Sequence, residues 1–190
     1  MTAPAPNSTL ARWKLLSRRI RVPAGFAFVL VYAWLAAPSV RSIAWSLLLV
    51  VPGLLLRAWA SGHVRKNAAL ATSGPYAFTR NPLYLGSMLI AYGFAAASRS
   101  LWVVGLLTVL FLLIYWPVIL SEEEFLRGHF PEFAEYTRCV PRLVPRISSS
   151  AGHARGEFSF ALYRQHREYN SLLGSIFLYA ALAVILVLRR

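Results

Sequence analysis

The sequence has no aspartate and a single cysteine, Cys139, and all seven of its acidic residues are glutamates. One cysteine excludes an internal disulfide and any metal site built on paired thiolates, so Cys139 reads as a passive thiol. Histidine is scarce too: His129, His153 and His166 have no cysteine or aspartate at ligand spacing, which leaves a metal centre unsupported. Neither a G-x-G-x-x-G fingerprint nor a Walker-type phosphate loop is present. Charged residues make up 14% of the 190-residue chain against 57% hydrophobic, an apolar share above the roughly 45–50% of soluble domains. A separate soluble domain has no room beside several segments that must each cross ~30 Å of hydrocarbon.

What is present is arginine. The formal charge is +13, yet the cations lie between apolar runs and form no basic face interleaved with aromatics, so a nucleic-acid partner is not indicated. The apolar runs define the fold. A run over 22–37 stops at Pro38-Ser39, a second over 43–59 carries Pro52-Gly53 as a kink, and the short turn between them makes an antiparallel hairpin. Runs over 83–97 and 101–120, joined by Ser98-Arg99-Ser100, make a second. The N-terminal basic stretch leads into an apolar run without an A-x-A cleavage site, which reads as a retained first helix. After a Ser-Gly joint at 148–152, Phe158, Ala161 and Leu162 recur at helical spacing, as in an interfacial amphipathic helix, and 172–188 reads as a fifth span. The expectation is an all-α integral membrane protein with four core transmembrane helices in two hairpins, an interfacial helix and a fifth span. Its core occupies 1–150 and its C-terminal helices 151–190. The tryptophans near span ends fit an aromatic belt.

Five Lys/Arg precede the first span, four lie from Arg57 to Arg80 and seven from Arg127 to Arg167, against Arg41 and Arg99 alone in the two tight turns. The positive-inside rule then places the N-terminus and both polar segments in the cytoplasm, with a plasma or inner membrane as the default. The fifth span leaves Arg189-Arg190 on the far side, against the rule.

The polar segments, 61–84 and 121–147, emerge at opposite ends of one hairpin on the same side of the membrane and so meet. One supplies His63, Tyr76, Arg80, Asn81 and Tyr84; the other supplies Glu122, Glu123, Glu124 and Arg138. A carboxylate ligand needs arginine or N–H groups, an ammonium needs a carboxylate, and a purine needs apolar or aromatic walls; this pair of segments offers all of them. Each residue also has a duller reading: Arg80 as a snorkelling arginine, the glutamates as a solvated face, Tyr76 and Tyr84 as interface aromatics, His63 as a solvated loop histidine. Acids at a cytoplasmic helix end have little generic use against a negative inner surface, which favours function for Glu122 and Glu123. Pro82 begins a helix, and Gly86 permits close packing.

The stretch Gly74-Pro75-Tyr76-Ala77-Phe78-Thr79-Arg80-Asn81-Pro82-Leu83-Tyr84-Leu85-Gly86 resembles the signature of the isoprenylcysteine carboxyl methyltransferase and phospholipid methyltransferase superfamily, G-x-Y followed by R-H-P-x-Y-x-G. Glu122-Glu123-Glu124-Phe125-Leu126, then Phe130, Phe133, Tyr136, Val140-Pro141 and Pro145, is similar to the second block of that superfamily. The resemblance covers about residues 45–147, and it departs from the pattern at Asn81, where the family often has histidine. It implies an integral membrane methyltransferase using S-adenosylmethionine on a lipophilic or lipidated acceptor, such as an isoprenylcysteine-like carboxylate or a phospholipid amine. On that resemblance Arg80 and Glu123 are the candidate catalytic residues. Gly74, Tyr76, Asn81, Pro82, Tyr84, Glu122 and Glu123 are the candidate cofactor-binding residues, and no metal is assigned. The alternatives are a membrane reductase of the steroid-reductase type, which saturable NADPH binding would reveal, and a non-enzymatic membrane protein. The acceptor's identity and the oligomeric state stay open.

Overall fold

The computed structural model describes residues 23–65, 68–147 and 156–189; the basic N-terminal stretch, Lys66, the joint at 148–152, His153 and Arg190 lie outside the described residues. Every regular element described is helical: α1 (Pro23–Leu35), α2 (Val40–Ser61), a 3₁₀ turn (Gly74–Ala77), α3 (Pro82–Ser98), α4 (Leu101–His129), α5 (Phe133–Cys139), α6 (Phe160–Gln165) and α7 (Tyr169–Leu188). Three helices, α2, α4 and α7, are long and apolar enough to cross a membrane, while α1 and α3 are shorter apolar helices. The chain is therefore an all-helical, multi-pass membrane protein. The first and third apolar runs, read as full spans in the sequence, are shorter than the other three.

The two hairpin turns hold each other at one end of the bundle. Ser39 caps α2 by exchanging hydrogen bonds with Ser42: the Ser42 N–H donates to Ser39 Oγ (3.1 Å) and the Ser39 N–H to Ser42 Oγ (2.9 Å). Ser42 Oγ also donates to the Ala97 carbonyl (2.9 Å), and the Ala37 N–H donates to that of Ser98 (2.9 Å). Arg99 closes α3 with φ 55°, the left-handed conformation that ends a helix tightly. Loss of the cap in Ser39→Ala is expected to lower stability by about 1 kcal/mol, read as a lower unfolding temperature in detergent. Arg189, at the end of α7, donates to the carbonyls of Ala33, Trp34 and Ala36 at the end of α1. That contact explains a cation on the far side: it satisfies the terminal carbonyls of a neighbouring helix.

Along the bundle, α2 and α3 touch backbone to backbone. A Cβ at Gly53 would stand 2.8 Å from the Gly86 carbonyl oxygen, one at Gly86 would stand 2.8 Å from that of Gly53, and one at Gly93 would stand 3.0 Å from that of Ser46. Small residues drive such seams where lipid removes the hydrophobic gain from association. The helix runs unbroken through Pro52. Tyr179 on α7 reaches Ser46 (2.8 Å), Tyr32 on α1 donates to the Phe94 carbonyl (2.9 Å), and Leu182 is buried in the same cluster.

With both hairpin turns at one end, the C-terminus of α2, the N-termini of α3 and α7 and the C-terminus of α4 gather at the other. Arg57 fixes that end. Its Nε and Nη2 hold the buried Glu168 carboxylate at 2.6 and 3.1 Å, its Nε also meets Ser171 Oγ (3.1 Å), and its Nη1 reaches the Leu83 carbonyl and Ser87. One guanidinium thus ties α2, α3 and α7 together, and its two-point grip on the carboxylate is the strong geometry for such a pair.

Two boundaries differ from the sequence reading. The fourth helix does not end at 120 but runs 29 residues, about 44 Å at 1.5 Å per residue, so Glu122, Glu123 and Glu124 stand on its extension past the apolar stretch. Within it, Pro117 lacks the N–H that would bond the Leu113 carbonyl, and the helix widens into a π turn over Phe111–Tyr115 just before it. The amphipathic segment after the joint forms only the six-residue α6. Phe158 packs its ring on Gly62 and His63 instead of joining a helical face.

Candidate active site

Glu122 and Glu123 are neighbours on α4 and so point about 100° apart. Glu123 faces inward, 5% exposed, and Glu122 faces the open side. Glu123 accepts three hydrogen bonds. Its Oε2 accepts from Arg80 Nη1 (3.2 Å) and Arg142 Nε (3.0 Å), and its Oε1 accepts from Asn81 Nδ2 (3.1 Å). A buried carboxylate is tolerable when ion pairs and hydrogen bonds fill its lone pairs in this way. Glu122 accepts from the Tyr84 hydroxyl (2.9 Å). The two sequence blocks therefore meet side chain to side chain, and Arg80, Asn81, Tyr84, Glu122 and Glu123 come together as expected.

The motif loop is held by the chain that follows α5. Pro141 and Pro145 cannot donate from their nitrogens and favour extended backbone, which leaves carbonyls turned outward. The Arg80 N–H donates to the Pro141 carbonyl (2.9 Å), Thr79 Oγ1 to those of Arg142 (3.2 Å) and Leu143 (3.0 Å), and Asn81 Nδ2 to that of Arg142 (3.0 Å). In return the Arg146 N–H donates to the Phe78 carbonyl (3.1 Å). Asn81 thus spends its amide hydrogens on Glu123 and the backbone, as a brace between the two blocks.

A cavity of about 310 Å³ opens beside this network. Tyr76, Tyr84, Phe125, Phe130, Phe133 and Tyr136 give it aromatic walls, Arg65 and Arg80 supply positive charge, and Glu122 and Glu123 supply negative charge. Pro82 lies in the wall. Gly74 does not: it takes φ 58° in the turn before Tyr76, where a Cβ would collide with the His63 ring at 2.7 Å. His63 is also outside the cavity, with Nδ1 on the Trp59 carbonyl (2.9 Å) and its ring against Phe158. Arg138, counted with the second block in the sequence, is exposed. Arg142 takes the place expected of it, and nothing in its sequence context marked it beyond the flanking prolines.

Burial pulls the Arg80 guanidinium down from its usual value, with Glu123 opposing the shift. Among the described residues its buried Nε–H meets no hydrogen-bond acceptor, a cost of about 1–3 kcal/mol that few buried groups in native folds carry. Burial pushes the phenols of Tyr76 and Tyr136 up, so both stay neutral, and the Tyr136 hydroxyl donates to the Tyr76 carbonyl (2.7 Å). The unfolded phenol ionises near pH 10 and the folded one only at higher pH, so this contribution is complete below about pH 10 and declines progressively above it. Unfolding temperature is expected to fall as pH rises past about 10, with a shallower fall in Tyr136→Phe. Among the described residues no group of three or more His, Cys, Asp or Glu is placed to hold a metal ion.

The sequence profile of the phospholipid methyltransferase family matches residues 21–132. The chain is also similar to two curated proteins. One is the cobalt-zinc-cadmium resistance protein CzcN of Cupriavidus metallidurans, 43% identical over 100 residues, covering 52% of this chain and 46% of that protein. The other is the nickel-cobalt-cadmium resistance protein NccN of Alcaligenes xylosoxydans xylosoxydans, 37% identical over 94 residues, covering 48% and 44% respectively. The chain thus matches about half the length of each relative. No solved structure matches the chain. The profile match includes α1 to α4 with both glutamates and stops before Tyr136 and Arg142.

Proposed function

Because the chain belongs to the phospholipid methyltransferase family, we propose that it is an S-adenosylmethionine-dependent methyltransferase acting on a lipophilic acceptor that enters from the bilayer. The observation that carries this reading is the buried Glu123, which Arg80, Asn81 and Arg142 join to both sequence blocks at the wall of one cavity. The residues fit the cofactor: its volume lies at the lower end of the roughly 300–1,000 Å³ of ligand sites, its aromatic walls suit a purine and a sulfonium, and its charges pair with an amino acid's two ends. Tyr76, Tyr84 and Glu122 hold the cofactor, with Pro82 shaping the wall and Asn81 bracing it. Bound there, S-adenosylmethionine supplies an electrophilic methyl group.

The chain's own residues then align the acceptor and exclude water, the main needs of an in-line displacement. Arg80 orients an anionic group of the acceptor. A carboxylate acceptor needs no base. An amine acceptor must lose a proton, and Glu122 is placed to take it, since Glu123 already accepts three hydrogen bonds and His63 is turned away. Positive-inside counting puts this end of the bundle in the cytoplasm. Family membership favours this reading over an NADPH-dependent reductase or a non-enzymatic protein. The test is to incubate membranes containing the protein with labelled S-adenosylmethionine. Label is expected in an organic-extractable product, and base-labile release would mark a methyl ester over an N-methyl amine. Saturable NADPH binding with no methyl transfer would overturn the reading.

A further inference from the structure

A further cavity, of about 200 Å³, continues from the first along the α3–α4 hairpin, away from the site end of the bundle. On α3 it is lined by Ser87, Met88, Ala91 and Tyr92, which follow Tyr84 by three, four, seven and eight residues. They therefore share one helix face with a wall residue of the candidate cofactor cavity. Leu107, Phe111 and Tyr115 line it from α4, where the π turn lays Phe111 and Tyr115 ring on ring, centres 5.9 Å apart. Tyr115 in turn meets Tyr84 edge to face at 6.3 Å, and Tyr84 donates to Glu122. Three rings in file thus join this slot to the site, and π turns within helices are frequent at functional positions.

The slot has a roof and a floor. Gly25 and Phe28 of α1 cover it. At its far end the Tyr92 hydroxyl donates to Thr108 Oγ1 (2.8 Å), whose own hydrogen goes to the Val104 carbonyl (2.8 Å), so α3 and α4 are tied together there. Just beyond, Tyr32 holds α1 down on the Phe94 carbonyl. Ser87 Oγ is engaged as well, donating to the Leu83 carbonyl (2.9 Å) and accepting from Arg57. With these hydroxyls satisfied, the slot presents apolar surface over about 12 Å from Tyr84 to Tyr92, at 1.5 Å per residue.

We propose that this slot holds the apolar chain of the acceptor, with its reactive head beside Glu122 in the cofactor cavity, and that Tyr92 sets the greatest chain length admitted. The inference rests on the methyltransferase reading and narrows the substrate class to an amphiphile with an apolar chain of limited length. A lipid of the cytoplasmic leaflet already lies in this direction, head at the membrane edge and chain toward the midplane, so the acceptor enters without turning over. Lipid surroundings remove the hydrophobic gain of burying a longer chain. The floor at Tyr92, not the extent of burial, therefore decides the length.

The experiment photolabels the full chain in phosphatidylcholine nanodiscs with N-acetyl-S-alkylcysteines and with alkylamines, so that a carboxylate and an amine head are both represented. Each is made with octyl, dodecyl and hexadecyl chains carrying a terminal diazirine, and mass spectrometry locates the label. With at least one head, the dodecyl probe is expected to label α3 and α4 around Tyr92 and Leu107, and the hexadecyl probe to do so about tenfold less. Gly25→Leu is expected to lower the labelling about tenfold by filling the slot. Among the described residues nothing beyond its own helix turn lies within 4 Å of the Gly25 Cβ position, so this variant is expected to fold. Gly174→Leu enters the separate cavity between α1, α3 and α7 with the same freedom, and is expected to leave labelling within about twofold. Tyr92→Ala is expected to admit the hexadecyl probe as well as the dodecyl one, and Tyr92→Phe, which keeps the ring, to go on excluding it. No label in the slot, labelling that survives Gly25→Leu or is lost in Gly174→Leu, or wild-type labelling indifferent to chain length overturns the proposal. Should Tyr92→Ala fail to fold, the wild-type length preference and the two glycine variants decide it. Slot labelling by a chain that shows no saturable binding of S-adenosylhomocysteine removes the methyltransferase reading and leaves the chain site standing, whereas cofactor binding with no slot labelling overturns the chain site alone.

Discussion

Glu123→Gln is expected to cost about 3–5 kcal/mol of stability, the penalty for breaking a buried ion pair from one side, and to lower the proposed methyl transfer at least about tenfold, the effect of 1.36 kcal/mol on a barrier. The glutamate is 5% exposed and satisfies three donors from Arg80, Asn81 and Arg142. A neutral amide offers one acceptor and presents an NH₂ to a guanidinium. The guanidiniums of Arg80 and Arg142, 12% and 35% exposed, then repel each other with no carboxylate between them, so thermal stability falls along with activity. Glu122→Gln provides the contrast. Its carboxylate is exposed and accepts one hydrogen bond, from Tyr84, so stability is expected to stay near wild type while cofactor affinity drops. Initial rates and detergent unfolding curves on the two variants check both statements.

Gly86→Leu is expected to prevent accumulation of folded protein. The α2–α3 seam places the Gly86 Cβ position 2.8 Å from the Gly53 carbonyl oxygen and 2.6 Å from Arg57 Cγ. The helix backbone cannot yield to a side chain without parting the seam, and the displaced Arg57 would release Glu168 from its two-point pair. Overpacking of a close-fitted interior costs about 1–3 kcal/mol, and more where backbone must move. Gly105→Ala is the control. Among the described residues nothing beyond its own helix turn lies within 4 Å of its Cβ position, so the exchange is expected to be neutral or to stabilise α4 by up to about 1 kcal/mol. Size-exclusion profiles of detergent extracts separate the two outcomes.

The sequence made the helical spans legible because hydropathy reports which residues face lipid, and Ser39, Ser98 and Arg99 marked the turns by their chemistry. Hydropathy does not report where a helix ends. Glu122 to His129 carry five ionisable residues among eight, yet they continue α4, since Glu, Leu and Arg are good helix formers and no proline follows Pro117 before residue 131. Pairing within the site was legible only through the order of its two blocks. Asn81 was readable as a hydrogen-bond donor but not as a brace, because its partner Arg142 is 61 residues away and gains its role from the extended Pro141–Pro145 backbone. The Arg57–Glu168 pair, 111 residues apart, had no local sign either. Gly74 carried a motif position but serves a turn against His63, a distinction that only the positive φ reveals.

On the proposed reading, the two sequence blocks build one cofactor site around Glu122 and Glu123. Calorimetric titration of the detergent-purified protein with S-adenosylhomocysteine tests it most directly, with wild type beside the Glu122→Gln, Glu123→Gln double variant and Arg80→Ala. The expected result is saturable binding to wild type that the double variant loses. Absence of binding to well-folded wild type, or binding that the double variant retains unchanged, would mean that the two blocks build no such site.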